Sequence, residues 1–104
     1  QIIPSELNAI PLPDDDLIVF VYCPSWSGIK TVGLCNENSE WIKSYTFISI
    51  FTDSGEMLSV SMDYVADKPQ LELHHSSTDT NFYYIVIGKL SHNDDTEKRF
   101  FTIK

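Results

Sequence analysis

Residues 57–65 read MLSVSMDYV, and their alternation decides the fold class: Leu58, Val60, Met62 and Tyr64 share one parity, Ser59, Ser61 and Asp63 the other. Successive side chains of an extended chain point to opposite faces, so a period of two marks a β-strand with one apolar face turned inward. Outward from this run the same grammar repeats. Asp53-Ser54-Gly55 is a turn cluster, and WIKSYTFISIF (41–51) before it is rich in β-branched and aromatic residues. QLELHH (70–75) places Leu71 and Leu73 inward and Glu72 and His74 outward. FYYIVIGKL (82–90) and RFFTIK (99–104) follow, while LIVFVYC (17–23) and IKTVGLC (29–35) precede.

These seven runs begin about a dozen residues apart and fill more than half of the 104 residues, well above the strand fraction of roughly 20–25% usual in globular domains. No stretch has a convincing apolar period near 3.6, and the short connections leave no room for parallel crossovers. The expected fold is all-β: a single antiparallel β-sandwich of about seven strands, Ig-like in architecture. The immunoglobulin hallmark of widely spaced cysteines around a core tryptophan is absent. A chain this short supports one core. Residues 14–104 form the expected sandwich domain, and residues 1–13 form an extended N-terminal arm, because Pro4, Pro11 and Pro13 fix φ and remove amide donors. Ile2, Ile3, Leu7, Ile10 and Leu12 make this arm too apolar for a solvated linker. It is expected to lie across the domain or to pair as an edge strand in the 5–10 region.

Two runs, 41–51 and 82–90, are apolar on both parities. Such strands are central and covered on both faces, or they carry an interface; core is the first expectation, and an oligomer face would come from these two runs.

Fifteen acidic against seven basic residues give a net charge of −8. A basic face for nucleic acid is therefore not expected, nor adhesion to anionic lipid, and no apolar run approaches the roughly 20 residues of a membrane span. If every strand reverses the last, loops alternate between two ends of the sandwich. One end then collects Asp14, Asp15, Asp16, Glu37, Glu40, Asp67, Asp94, Asp95 and Glu97 against Lys68 and Lys98, which is most of the net charge. Such an end serves as a docking surface for a basic partner or simply keeps the domain soluble. The contiguous acids Asp14 to Asp16 lack the spacing of a Ca²⁺ loop.

The opposite, nearly neutral end holds Trp26, the only aromatic in a predicted turn, flanked by Ser25 and Ser27. An exposed tryptophan there would anchor a protein partner or stack on a sugar; a folded-back one would cover the open end of the sandwich. Cys23 and Cys35 flank this turn. An even cysteine count in a small acidic β domain fits an exported protein with a Cys23–Cys35 disulfide, the alternative being two buried thiols that pack as small apolar groups. A tight turn pairs Cys23 with a residue near Lys30 rather than with Cys35, so the bond needs a wide loop or a link between sheets within about 7 Å.

His74 and His75 face opposite sides of a strand, so no metal centre is expected, and surface titration is their default. No Gly-x-Ser-x-Gly, His-Glu-x-x-His or glycine-rich phosphate loop occurs. Enzymatic activity and a cofactor are not expected. The chain begins at Gln1, as a segment trimmed after export would, and location outside the cell or in a bacterial periplasm or surface is the matching expectation. The leading function is a non-enzymatic protein-binding domain of the inhibitor, immunity or host-interaction kind, acting through the Trp26 loop, the acidic end or a sheet edge. Two alternatives stand beside it: a carbohydrate-binding module using Trp26 and Tyr83, and an adhesin-like subunit whose arm pairs with a neighbouring copy.

Overall fold

A computed structural model describes residues 2–3, 9–13, 15–42, 46–62, 70–76, 78, 80–89 and 98–104. Nine strands follow one another among them, with no helix: β1 (Ile2–Ile3), β2 (Ala9–Pro11), β3 (Leu17–Tyr22), β4 (Gly28–Cys35), β5 (Thr46–Thr52), β6 (Met57–Met62), β7 (Gln70–His75), β8 (Tyr83–Lys89) and β9 (Phe100–Ile103). They form a five-stranded sheet in the order β1-β3-β8-β5-β6 and a four-stranded sheet in the order β2-β9-β4-β7. Every pairing is antiparallel except β1 with β3. The expected antiparallel β-sandwich is the fold observed. In an immunoglobulin constant-type order the first, second, fifth and fourth strands share a sheet. Counted from β3, this chain groups the first, sixth, third and fourth strands instead, with the seventh, second and fifth opposite.

The core lies where the two inner faces meet. Ile18, Phe20 and Tyr22 of β3, Ile85 and Ile87 of β8, and Ile48 and Ile50 of β5 pack from one sheet. Val32 and Leu34 of β4, Leu73 of β7, and Phe101 and Ile103 of β9 pack from the other. Phe20 meets Phe101 edge-on across the layer, ring centroids 5.0 Å apart. Quadrupolar rings favour this T-shaped arrangement over face-to-face stacking.

β5 and β6 are the only consecutive strands that pair with each other among those described; the other connections from β3 onward pass between sheets. The β5–β6 turn is built by its polar residues. The Glu56 amide donates to Thr52 Oγ1 at 3.1 Å, the Gly55 amide to the Thr52 carbonyl at 2.9 Å, and Gly55 takes φ of 88°, the left-handed region where a Cβ is penalised.

The N-terminal arm contributes a strand to each sheet. Ile2 and Ile3 pair with Val21 and Tyr22, and Ala9 to Pro11 pair with Phe100 to Thr102. Pro11 fits there because β2 is an edge strand, where a missing amide leaves no ladder bond unmade.

Residues 57–62 of the alternating run form β6, but Leu58 and Val60 of its apolar parity are not turned to the core. The register shifts between Ile50 and Phe51, so that Phe51 pairs with Met57, Ser49 with Val60, and the buried Ile50 and Ile48 with Ser59 and Ser61. Val60 and Leu58 are exposed. A one-residue slip moves a strand's whole apolar set to the other face, and Leu58 is that extra residue. The expected run starting at Trp41 begins its regular pairing at Thr46; Trp41 makes only an isolated bridge to Cys35, and Tyr64 lies outside the described residues.

Candidate functional site

At the neutral end of the sandwich, Tyr22 and Tyr83 are cross-strand partners at the ends of β3 and β8, and both are buried. His75, the last residue of β7 on the opposite sheet, is also buried, and its Nδ1 lies 2.7 Å from Tyr83 Oη. This hydrogen bond ties the two sheets together at their rim. Trp26, in the connection between β3 and β4, closes over the group. Its indole N–H donates to Tyr22 Oη at 2.7 Å, its ring meets His75 edge-on at 5.6 Å, and the Lys30 ammonium sits 5.2 Å from its centroid. The half-buried Trp26 packs against the core cluster. Burial pushes the Tyr22 hydroxyl above its ordinary pKa, opposed by the Trp26 hydrogen bond and reinforced by Cys23.

Trp26 therefore stands between the two sequence readings, its polar atom engaged and one ring edge held. Ser25 and Ser27 beside it are exposed. Tyr83, proposed as a sugar-stacking platform, is instead a core residue; the exposed tyrosine on this strand is its neighbour Tyr84. His75, expected to titrate at the surface, is buried, because the inward parity of β7 runs Leu71, Leu73, His75 to the end of the strand. His74 keeps the outward side, 3.7 Å from Glu72, with both groups exposed.

The disulfide is not formed: Cys23 and Cys35 are free thiols, the first half-buried and the second buried. The connection after β3 passes to the other sheet, and β4 then runs from Gly28 to Cys35 away from that end. Seven residue steps at about 3.3 Å carry Cys35 roughly 23 Å from the start of the strand, well beyond the about 7 Å that a disulfide tolerates.

The strand directions place Asp15, Asp16, Glu37 and Glu40 at the opposite end, all exposed. Asn36 holds the 36–40 turn, its Oδ1 accepting the amides of Asn38 and Glu40 at 2.9 and 3.0 Å. The Glu37 carboxylate lies 3.4 Å from the Lys98 ammonium in an exposed pair. Asp14, Asp94 and Asp95 lie outside the described residues. At this end Arg99 is buried, with Nη2 3.4 Å from the Pro13 carbonyl and Nη1 without a hydrogen-bond partner among the described residues. Among the described residues no group of His, Cys, Asp and Glu gathers as a metal site. Nor is any helix among them long and apolar enough to cross a membrane.

The largest feature that the candidate residues do not include is the outer face of the five-stranded sheet. Registers align three rows across it: Leu17–Gly88–Phe47, Val19–Val86–Ser49–Val60 and Val21–Tyr84–Phe51–Met57. None of these eleven positions is charged, in a chain with 15 acidic residues. Leu17 is 58% exposed, Met57 54%, Val19 50%, Val60 43% and Tyr84 37%. The Phe47 ring lies over Gly88, where an added Cβ would overlap it. The two-sided apolar character of 41–51 and 82–90 pointed here, since those runs became the central strands β5 and β8; covered on one side only, they leave the other side open. Comparison of the sequence with protein families and with curated proteins finds no match.

Proposed function

We propose that this chain is a non-catalytic protein-binding domain that docks through the outer face of its five-stranded sheet. The supporting observation is the uncharged patch of three cross-strand rows, with five large apolar side chains more than a third exposed. Water-facing apolar surface of this continuity is characteristic of interaction sites, because covering it releases the hydration cost of the exposed rows. Export to an oxidising or surface location is part of the same proposal. Stacking of a sugar on Trp26 is the weaker reading, since its indole N–H is bound to Tyr22 and Lys30 stands over its ring.

The experiment is comparative capture of protein partners on immobilised chain. Val19→Glu places a charge in the middle row and should lower partner affinity at least about tenfold, while Asp15→Asn with Asp16→Asn should change it less than about threefold. The reverse pattern moves docking to the acidic end and refutes the face.

A further inference from the structure

We infer that the partner covering this sheet face is a second copy of the same chain, packed face to face about a two-fold axis. The inference rests on the docking reading above. Three observations carry it.

Among the described residues the three rows carry no charge that a basic or acidic partner could pair with; their complement is an uncharged, gently pleated apolar surface, which is what the chain itself offers. A two-fold interface uses the same patch twice, so self-complementarity is its requirement. The rows meet that requirement. Val19, Val86, Ser49 and Val60 form a low middle row, and bulkier side chains flank it on both sides. An axis along the middle row sets Val19 opposite the partner's Val19 and the Leu17–Phe47 row against the partner's Tyr84–Phe51 row. Bulky rows then lie on either side of a shallow centre, within the about 10 Å spacing of packed sheets.

Charge selects this axis over the other one available in the plane of the face. An axis along the strands would bring the two acidic ends side by side. The axis along the middle row sends Asp15 and Asp16 of the two copies to opposite ends, which lowers the repulsion between two chains of net charge −8 each.

Area sets the strength. Four strands at about 4.8 Å and six residues at about 3.3 Å cover roughly 19 by 20 Å, or about 380 Å² in plan per copy. A pair buries upward of about 760 Å² once side-chain relief is included, below the about 1,200–2,000 Å² of stable interfaces and in the range of weak, transient ones. The dimer is therefore reversible and concentration-dependent, with dissociation in the micromolar range or weaker.

Sedimentation velocity on the full chain, from about 5 to 500 μM at low and high NaCl, tests it. A reversible dimer is expected, tightening by about threefold or more with salt as repulsion is screened, the opposite sign from binding a basic partner. Val19→Glu should leave a folded monomer, judged by circular dichroism. Ile29→Glu, at a position at least as exposed as Val19 but on the other sheet, should leave the dimer intact. Mixing Val19→Glu with Val19→Lys should restore association, because the two-fold axis sets position 19 against itself. A chain that stays monomeric at every concentration and salt overturns the second copy as partner. If Val19→Glu then still abolishes partner capture, the docking face stands with a different occupant; if it does not, both readings fail. A dimer that survives Val19→Glu, or a mixture that stays monomeric, refutes this face or this axis.

Discussion

Replacing Trp26 with alanine separates a lid from an anchor. Burial of a large aromatic is worth about 3–5 kcal/mol when truncated from a full core, and Trp26 is half-buried, so its packing accounts for about 2 kcal/mol. Its removal also leaves Tyr22 Oη without the indole donor now 2.7 Å away, at about 1 kcal/mol. The Lys30 contact at 5.2 Å adds about 0.5 kcal/mol at an exposed ring. The expected loss is about 3.5 kcal/mol, and at about 4–8 °C per kcal/mol for a domain near this size the melting temperature should fall by roughly 14–28 °C. Trp26→Phe keeps one aromatic ring but loses the hydrogen bond and the pyrrole part of the indole, so it should cost about 1–2 kcal/mol, less than Trp26→Ala. Thermal melts by circular dichroism and urea unfolding measure both, and the dimer constant is followed in parallel. A loss under about 1 kcal/mol for Trp26→Ala, together with a large fall in association, would refute the lid and return Trp26 to the role of interface anchor.

Three further outcomes are expected. Gly88→Ala sets a methyl group against the Phe47 ring and should cost about 1–3 kcal/mol by overpacking, partly recovered in the double variant with Phe47→Leu; equal stabilities on urea titration would contradict the close approach. Tyr22, whose pKa is raised above 10.0 chiefly by burial, binds its proton more tightly folded than unfolded, so its contribution is complete below pH 10.0 and is lost as pH rises through the folded value. The alkaline slope of unfolding stability should shrink in Tyr22→Phe, and an unchanged slope would place the linkage elsewhere. Thiol titration of the native chain should find Cys23 reactive and Cys35 protected, with both reacting in denaturant and reductant leaving the melting temperature unchanged; a melting temperature that falls in reductant would show that a disulfide forms.

The strand pattern was readable in the chain because a period of two is a local property. LIVFVYC, IKTVGLC, QLELHH and FYYIVIGKL each become a strand within a residue or two of the reading. The turn residues between them, Asp53-Ser54-Gly55 above all, supply the hydrogen bonds and positive φ that end each run. Strand reversal alone placed Asp15, Asp16, Glu37 and Glu40 at one end, where the described residues have them, and Trp26 was conspicuous as the one aromatic in a turn.

Which face of each strand meets the core was a different matter. Alternation says that a strand has two faces; the register of its neighbours says which is inside. β6 lies beside β5, whose Phe47 and Phe51 on one parity and Ile48 and Ile50 on the other give no hint of direction, and the bulge at Leu58 assigns Val60 to the outside. Sheet assignment is likewise non-local: the passage of the chain from β3 to the opposite sheet separated Cys23 from Cys35 and buried His75 against Tyr83. From sequence alone came the all-β class, the number of principal strands and the placing of Asp15, Asp16, Glu37 and Glu40 at one end. Only the tertiary structure decided that an uncharged apolar face remains open to water, because exposure depends on strands distant in sequence packing on one side of a sheet and not on the other.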